Sequence, residues 1–404
     1  MDKNSIFKDI KVVEFTIFGI GPLAGKLLAD FGATVVRVES IERPDPTRLF
    51  PAYKDGKTGV NRSYFWANNN TSKLSIELNL NNPESVKMAS RLVKWADIVI
   101  ENFRPGVLEN WGLAYEEMRK INPQVILVRL SNMGHHGPYS GQRGTGGTLQ
   151  SLAGFSFLTG WPDRDPAPPF GAICDQYPPL LAVTAIISAL LYRRRTGKGQ
   201  YIEFSQLECS VLYLAPLLLD YQINGHILNR MGNRSSCAAP HGVYRCKGTD
   251  RWCAIAIFTE KQWRSFREVI GNPIWAKEER FSTLTARKEN EDALDRFVEE
   301  WTITKTPEEV MTLLQTAGTP AGVVENVEDM FCDPQLQHRN HFVKLAHPEL
   351  GSYSARNHAF RMSRVPVGLK AAPCLGEHTE LVCREILGMS DEKFVSYLLD
   401  GVFE

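Results

Sequence analysis

One carboxylate in the middle of the chain has a setting in which it could act as a nucleophile. Asp175 lies in the stretch GAICDQYPPLL, between small apolar residues and a pair of prolines at 178 and 179. The prolines suit the first turn of a helix, and the long apolar segment after them predicts one. Aspartates often cap helices at this position, so from these residues alone the cap is the simpler interpretation. A catalytic role needs support from other parts of the chain.

A glycine-rich turn near the N-terminus is similar to a nucleotide-binding motif. Gly19, Gly21 and Gly25 follow a strand-like run, and Glu39 ends the next one. In dinucleotide-binding proteins such a turn holds the pyrophosphate, and the acid holds a ribose hydroxyl. Here the glycine spacing differs by one residue, and Pro22 lacks the N–H that a phosphate would need. The glycines equally fit close helix–sheet packing, so an NAD-dependent oxidoreductase stays an alternative.

Cysteines and histidines show no metal-binding spacing. The chain has 8 cysteines without a CxxC pair and 9 histidines without an HExxH motif. A chain of this size does not depend on disulfides, so we expect reduced, mostly buried thiols. We therefore predict no metal site and no tightly bound cofactor.

Length and composition limit the classes of protein to consider. The 404 residues exceed the usual size of one hydrophobic core, which predicts two domains. The chain is 43% apolar and 23% charged with a net charge of +0, which argues for a globular protein without nucleic-acid or membrane partners. The N-terminal residues do not form a signal peptide, and the longest apolar run, near 179–192, is too short to cross a bilayer. We expect a cytoplasmic protein.

Alternating strand-like and helix-like segments predict an α/β fold. The run IKVVEFT is strand-like, LAGKLLADFG has helical spacing, and ATVVRVE is strand-like again. This pattern recurs up to about residue 135, which predicts a parallel, doubly wound sheet. We assign 1–225 to a large Rossmann-like domain and 226–345, where the pattern changes, to a smaller α+β domain. The tail CLGEHTELVCREILGMSDEKFVSYLLDG is predicted to be helical, and the segment 346–404 is expected to return to the large domain.

Five segments resemble the class III CoA-transferases, the family of formyl-CoA transferase and carnitine CoA-transferase. They are, in order, FGIGPLAGKLLADFGATVVRVE, ADIVIENFRPGVLENWGLAYEE, ISALLYRRRTGKGQYIEFSQLE, DPQLQHRNHFVKLAHPELG and LGEHTELVCREILGMSDEKFVSYLLDGV. The motifs ENFRPG and RTGKGQ are fairly specific, and their occurrence together in this order is highly specific. The resemblance implies two chains, identical or related, each forming a ring from a large Rossmann-like domain and a small domain, with the two rings interlocked.

The resemblance also implies a role for Asp175. In the family the nucleophilic aspartate lies just before the long helix that ends at an RxxTGxGQ turn, which is where Asp175 falls. Its carboxylate would attack an acyl-CoA thioester, and CoA would pass through an aspartyl anhydride and an aspartyl-CoA thioester to a carboxylic acid acceptor. Coenzyme A is then bound as the thioester substrate. The oxyanions formed on this route need N–H donors, and the anhydrides need protection from water.

The resemblance places the CoA-binding residues mainly after the first strands of the sheet. These residues are Ile17, Phe18, Gly19, Ile20, Arg37, Asn70, Lys73, Asn102, Phe103 and Arg104. Arg37 and Lys73 suit phosphate groups, although either could be an ordinary charged side chain. Asn110 stands where formyl-CoA transferase has an arginine that contacts CoA, so Arg43, Arg48 or Arg104 would have to compensate.

A loop of small residues corresponds to the segment that covers the active site in formyl-CoA transferase. It consists of Ser235, Ser236, Cys237, Ala238 and Ala239, where that enzyme has glycines and a glutamine. Small residues allow a mobile cover that excludes water, but they are less flexible than glycine. An ordinary surface loop is the alternative interpretation.

Two further differences concern the substrate and the reaction. Gly19 replaces a glutamine close to the acyl group of formyl-CoA transferase, and we interpret this as space for a larger acyl group. Such a group is aromatic or a substituted dicarboxylate, for example a benzylsuccinate-like acid with succinyl-CoA as donor. Related racemases use a His-Asp pair where this chain has Thr145 and Gly146, which do not move protons near neutral pH, so an acyl-CoA racemase is disfavoured. A non-catalytic subunit of a heteromeric transferase remains another alternative.

Overall fold

The computed structural model describes residues 5–365 and 367–403 of the chain. These residues form two compact units. The first comprises the chain up to Phe155, Pro168–Ile227 and the chain from His338 onward, and the second comprises Ser156–Ala167 and Leu228–Gln337.

The unit boundaries differ from the predicted domains chiefly at 156–167. We assigned this segment to the large domain, but it belongs to the second unit. Hydrogen bonds hold it there: the Gly232 N–H donates to the Gly160 carbonyl over 2.9 Å, and Arg230 donates to the Phe157 carbonyl over 3.0 Å. These partners lie about 70 residues apart in sequence, so no local pattern revealed them.

The strands of the described residues are β1 (Lys11–Phe15), β2 (Thr34–Glu39), β3 (Leu74–Glu77), β4 (Ile98–Glu101), β5 (Ile126–Ser131), β6 (Gln200–Ser205), β7 (His241–Arg245), β8 (Trp252–Ala256), β9 (Ala321–Val323), β10 (Phe342–His347) and β11 (Gly351–Arg356). The α-helices are α1 (Ile20–Asp30), α2 (Tyr64–Asn69), α3 (Pro83–Trp95), α4 (Val107–Asn110), α5 (Tyr115–Ile121), α6 (Gly146–Leu152), α7 (Phe155–Leu158), α8 (Ile173–Gln176), α9 (Pro178–Thr196), α10 (Gln206–Leu212), α11 (Ala215–Asn224), α12 (Glu260–Val269), α13 (Leu284–Glu289), α14 (Glu291–Thr302), α15 (Pro307–Thr316), α16 (Val327–Cys332), α17 (Pro334–His338), α18 (Thr379–Leu381) and α19 (Asp391–Leu399). Short 3₁₀ segments cover Pro46–Leu49, Lys54–Gly56, Ile274–Lys277 and Glu279–Phe281, and a π-helical turn covers Val382–Ile386.

Strands β1 to β6 form one parallel sheet in the order β3-β2-β1-β4-β5-β6. This confirms the predicted α/β class. Successive side chains on a strand point to opposite faces, so neighbouring Val12 and Val13 belong to different cores. Val12 clusters with Leu28 of α1 and Ile186 of α9, whereas Val13 clusters with Leu92 of α3. The strand order reverses between β1 and β4, and such a point opens a crevice at the carboxyl ends of the strands.

The first unit leaves a large apolar surface uncovered by its own chain. Helix α9 buries Ala182, Ile186 and Ala189 in the sheet core, but Leu180, Leu181, Ile187, Leu191 and Tyr192 on the same helix are exposed. Helix α11 has no buried residue and exposes Leu218, Leu219, Tyr221 and Ile223. We call these exposed side chains of α9 and α11 the outer apolar face.

One helical stretch in the described part of the chain, Ile173–Thr196, is long and apolar enough to cross a membrane, and 33% of its most apolar window is buried. It is longer than the apolar run considered from the sequence, because the helix continues through the arginines before Thr196. The buried part of this window is the stripe of α9 that packs on the parallel sheet.

The second unit is smaller and has a separate core. Strands β7, β8 and β9 form an antiparallel sheet. Trp263 and Phe266 of α12 pack in the same cluster as Leu294 of α14 and Leu314 of α15. This arrangement of a small sheet and helices is an α+β architecture.

A buried aspartate connects the start of the first unit to its C-terminal part. Asp30 is 3% exposed and accepts hydrogen bonds from Lys26, from Thr71 at 2.7 Å, from Ser72 at 2.8 Å and from His358 at 2.9 Å. Burial alone would raise the pKa of Asp30, but the bonds from His358 and Lys26 outweigh it, and the pKa is lowered from its usual value. The ionised carboxylate therefore stabilises the fold.

We expect the substitution Asp30→Ala to lower the free energy of unfolding by about 3–5 kcal/mol, because it leaves the buried Lys26 ammonium without its counter-charge. The matched control is Glu116→Ala, which removes an exposed ion pair with Arg119 and should change stability by less than about 0.5 kcal/mol. Urea unfolding of both variants, followed by circular dichroism, measures the difference. Equal unfolding midpoints for the two variants would contradict the assignment.

Candidate active site

Asp175 does not cap the long helix that follows it. It lies on the short helix α8, and the N-cap of α9 is Tyr177, which makes no side-chain capping bond. The first two positions of α9 are Pro178 and Pro179, which lack N–H groups, and the N–H of the third, Leu180, donates to the Tyr177 carbonyl at 3.0 Å. The cap interpretation is therefore wrong, and the carboxylate is free for another use.

The two oxygens of the Asp175 carboxylate have different surroundings. Oδ1 accepts a hydrogen bond from the amide Nε2 of Gln206, which is 1% exposed. Oδ2 lies beside Gly19 and Gly146: a Cβ on Gly146 would overlap Oδ2, and one on Gly19 would lie 2.9 Å from Cγ. Burial raises the pKa of Asp175 above its usual value, and the bond from Gln206 opposes this only in part.

A cavity of about 710 Å³ opens beside this carboxylate along the carboxyl edge of the sheet. Its wall begins at residues 78–81, after β3, and ends at Gln206, after β6. These strands are five steps apart in the sheet, and five steps of about 4.8 Å give about 24 Å. The cavity is therefore elongated, and Asp175 lies where Gln206, after β6, and Gly19, after the central strand β1, both reach it.

Eight of the ten predicted CoA-binding residues line this cavity: Ile17, Phe18, Gly19, Ile20, Arg37, Asn102, Phe103 and Arg104. The turn after β1 is held in place from two sides. Asn102 accepts from the Ile17 N–H at 2.8 Å and donates to the Ile17 carbonyl at 2.7 Å, while Asp45 accepts from the Phe18 N–H at 3.1 Å. Phe18 has a left-handed φ of 59°, a conformation that non-glycine residues adopt rarely. Such local strain is common at binding sites.

Asn70 and Lys73 lie behind the cavity wall. The Lys73 ammonium donates to Glu14 at 2.9 Å, to the Pro22 carbonyl at 2.7 Å and to Asn70 at 3.0 Å. Burial lowers its pKa to about 8, although Glu14 raises it. An ammonium has three donors, so Lys73 would have to break one of these bonds to reach a phosphate. The geometry of Lys73 indicates that it supports the cavity wall and does not contact a phosphate directly.

Arg37 and Arg48 are fully buried and ion-paired. Arg37 donates to Asp45 at 2.5 Å and to the Thr16 carbonyl at 2.9 Å. Arg48 pairs with Glu39 at 2.8 Å and does not line the cavity. Of the arginines considered as replacements for Asn110, the structure thus brings Arg43 and Arg104 to the cavity but not Arg48.

Arg43, Arg104 and Arg143 are exposed, line the cavity, and have no ion pair within residues 5–365 and 367–403. Cavity-facing cations without partners are available for anions. The sequence did not reveal Arg143, which lies in the loop before α6, close in the chain to Gly146. It also did not reveal Gln206. The available signal was its position directly after a parallel strand, at the edge where ligands bind.

The glycine turn serves packing. A Cβ on Gly25 would overlap the Glu14 carboxylate, and one on Gly21 would lie 2.9 Å from the Cβ of Thr16. Glu39, which a dinucleotide site would need for a ribose, is occupied by Arg48. These contacts favour the packing interpretation over dinucleotide binding. Across the described ranges no group of three His, Cys, Asp or Glu side chains is arranged to hold a metal ion.

The predicted cover loop belongs to the second unit. Ser236 and Cys237 are exposed, whereas Ala238 and Ala239 are fully buried. Ser235 and Ala238 form an isolated β-bridge, and the Ala239 N–H donates to the Ile257 carbonyl at 3.1 Å. The end of the loop is thus anchored, and its exposed part consists of Ser236 and Cys237. Its role as a cover stays a prediction.

Comparison with known proteins identifies the family. The model of CoA-transferase family III matches residues 7–379. The chain is 32% identical to succinyl-CoA–D-citramalate CoA-transferase of Chloroflexus aurantiacus, over 95% of this chain and 94% of that enzyme. It is also 32% identical to succinate–glutarate CoA-transferase of Agrobacterium fabrum, over 93% of this chain and 94% of that enzyme. A CaiB/BaiF family protein from Brucella suis has a similar structure, with 33% identity, a TM-score of 0.87, and coverage of 95% of this chain and 100% of that one. These matches confirm the resemblance seen in the sequence: the chain is an enzyme that transfers CoA and belongs to CoA-transferase family III.

Proposed function

We propose that the chain moves CoA from an acyl-CoA donor to a carboxylic acid acceptor through covalent intermediates on Asp175. The observation that carries this proposal is a partly buried carboxylate, with one oxygen held by a neutral amide and the other facing small residues, in the wall of an elongated cavity. Burial deprives the anion of water, which increases its reactivity toward a carbonyl carbon.

Four acyl transfers complete the reaction. First, Asp175 attacks the donor thioester, forms a mixed anhydride and releases CoA thiolate. Second, the thiolate attacks the aspartyl carbon, forms aspartyl-CoA and releases the donor acid. Third, the acceptor carboxylate attacks aspartyl-CoA, forms a new anhydride and again releases thiolate. Fourth, the thiolate attacks the acceptor acyl carbon, which yields the product thioester and restores the carboxylate.

The strand order gives CoA a direction in the cavity. Asp175 contacts Gln206, which follows β6, and lies beside Gly19, which follows the central strand β1, so the thioester belongs on this side of the cavity. Arg43 follows β2, farther toward the β3 edge, where an exposed cation suits the phosphates of CoA. Arg104 follows β4, the strand next to β1, and is a second exposed cation in the cavity wall.

The substrate class we propose is a dicarboxylic acyl group. Arg143 is an exposed cation in the wall after β5, on the Asp175 side of the cavity, where it suits a second carboxylate on the acyl group. The names of both enzymes compared above include dicarboxylic acids. Gly19 does not by itself argue for bulk, because the space in front of its Cα is filled by the Asp175 carboxyl group. An aromatic, benzylsuccinate-like substituent therefore lacks structural support.

We propose that a second chain, identical or related, covers the outer apolar face in an interlocked pair. Nine large apolar side chains of α9 and α11 are exposed, and exposed apolar patches often mark interaction surfaces. A partner chain in the cytoplasm covers such a face, and one stripe of α9 is already occupied by the sheet core.

We expect Asp175→Asn to abolish CoA transfer, because a neutral amide cannot attack a thioester. In the parent protein, incubation with succinyl-CoA should give an Asp175 adduct that hydroxylamine or borohydride traps. Mass spectrometry of the digested protein checks this. The chain is assayed alone, which also tests whether it needs a catalytic partner. Undiminished transfer by the variant, with no adduct in the parent, would contradict the mechanism.

We expect Gly146→Ala to lower kcat by about 100-fold, because its Cβ would overlap the Asp175 carboxylate and lie 2.6 Å from the Cβ of Ala172, so the segment that carries Asp175 must shift. The matched control is the adjacent Gly147→Ala, whose Cβ would meet its nearest atom, Thr145 Oγ1, at an ordinary 3.7 Å. Steady-state kinetics on both variants gives the comparison. Equal kcat values for the two variants would show that the crowding has no catalytic consequence.

We expect Arg143→Gln to lower kcat/KM for succinyl-CoA by about 10- to 100-fold, because a charged hydrogen bond to the distal carboxylate is lost. Activity with a monocarboxylic butyryl-CoA should not fall. The contrasting variant is Arg43→Gln, which should weaken binding of both thioesters equally through the phosphates. If Arg143→Gln reduced both activities in the same ratio, the assignment of Arg143 to the acyl group would be excluded.

A further inference from the structure

We infer that Gln206 is a catalytic residue whose amide binds the oxyanion that forms on the aspartyl group itself. The inference rests on the proposed function, because it concerns the second and third acyl transfers. In these steps the reacting carbon is Cγ of Asp175, not a carbon of the substrate.

The position of Gln206 is fixed by the fold. It is the first residue of α10, directly after β6, and Ser205 caps this helix by accepting from the Glu208 N–H at 3.3 Å. The side chain is 1% exposed. Its Nε2 donates to the Cys174 carbonyl at 2.6 Å and to Asp175 Oδ1. Both amide hydrogens are therefore engaged, and the group cannot rotate without breaking one bond.

The hydrogen bond from Gln206 gives the two oxygens of the Asp175 carboxylate different roles. Oδ1 is occupied by Gln206, whereas Oδ2 packs against Gly19 and Gly146 and accepts no hydrogen bond from the residues that the structure describes. Oδ2 is thus the nucleophile and becomes the bridging oxygen of the anhydride. Oδ1 remains the carbonyl oxygen throughout and stays within reach of the amide.

The second and third acyl transfers, which both take place at Cγ, need the same hydrogen-bond donor. When thiolate attacks the anhydride, a C–S bond forms, the carbonyl electron pair moves to Oδ1, and collapse expels the donor carboxylate with the electrons of the Cγ–O bond. When the acceptor carboxylate attacks aspartyl-CoA, a C–O bond forms, Oδ1 again takes the negative charge, and collapse expels thiolate. A donor aimed at Oδ1 before reaction stabilises both intermediates without reorganisation.

A neutral amide suits this double role better than a cation. An arginine or lysine at position 206 would pair with the resting carboxylate and weaken its attack in the first step. The amide leaves the pKa of Asp175 raised by burial, so the carboxylate keeps its basicity. It still offers a hydrogen bond, which strengthens when charge develops on Oδ1.

The test compares two buried glutamines. Gln206→Met keeps the volume but removes the donor. Gln150→Met is the matched control: Gln150 is 3% exposed and accepts from the Ile173 N–H on the same short helix α8, without a hydrogen bond to Asp175. Thermal unfolding of both variants verifies that they fold. We expect Gln206→Met to lower kcat by about 10²- to 10³-fold, and Gln150→Met to keep most of the parent rate.

A rapid-quench experiment uses succinyl-CoA and the acceptor acid that the parent enzyme converts fastest. It separates a catalytic role of Gln206 from a structural one. If Gln206 acts on Cγ, the first step continues while the next two slow, so the Gln206→Met variant accumulates an Asp175 adduct beyond the parent level. If Gln206 only supports the fold, the first step slows too and no adduct accumulates, which would overturn the inference. A normal kcat in Gln206→Met, with Asp175→Asn inactive, would also overturn it while leaving the proposed function intact.

The pH profile gives a second readout. The bond from Gln206 favours the ionised carboxylate, so its removal raises the pKa of Asp175 further. Attack requires the anion, so the acidic limb of kcat/KM should move to higher pH in Gln206→Met and stay in place in Gln150→Met. An unchanged limb would show that the amide does not act on this carboxylate.

Discussion

The site depends on a carboxylate that is withdrawn from water without being paired to a cation. Asp175 is partly buried, and no ion pair reaches it from the residues that the structure describes. Burying an anion without a cation beside it costs free energy. One hydrogen bond from the neutral amide of Gln206 reduces that cost. The same burial raises the pKa of Asp175, so the carboxylate is more basic than an exposed one. In the proposed mechanism, pairing with a cation would stabilise the resting carboxylate and slow its attack.

The other charges along the same edge of the sheet follow the opposite rule. Arg37, Arg48 and Lys73 are buried, and each is satisfied by carboxylates or carbonyls. Breaking such a pair leaves a buried charge and typically costs about 3–5 kcal/mol, so these residues hold the loops in position. Arg43, Arg104 and Arg143 are exposed, and their charge is available to substrate anions. Burial and pairing thus separate the residues that maintain the cavity from those that can bind within it.

The sequence predicted the features that depend on residues close together in the chain, and it did not predict contacts between distant residues. The parallel sheet followed from the alternation of strand-like and helix-like segments, and the proposal for Asp175 came from its place before a long helix in a family pattern. Lys73 was predicted to contact phosphate because its sequence position matches the family, but its partner Glu14 is 59 residues away, and only the fold shows that the ammonium is occupied. Gln206 was overlooked for the same reason, since its contact with Asp175 spans 31 residues. Gly146 was considered only as a missing proton carrier, because its closeness to Oδ2 is tertiary.

Helix α9 has a mechanical consequence for the enzyme as a whole. Its inner stripe packs on the sheet, and its outer side belongs to the outer apolar face. Asp175, the proposed nucleophile, lies three residues before its start. If a second chain docks on the outer side, as proposed, the same helix links the docked surface to the segment that carries the proposed nucleophile. The fraction of docked chains, and with it the protein concentration, would then influence turnover.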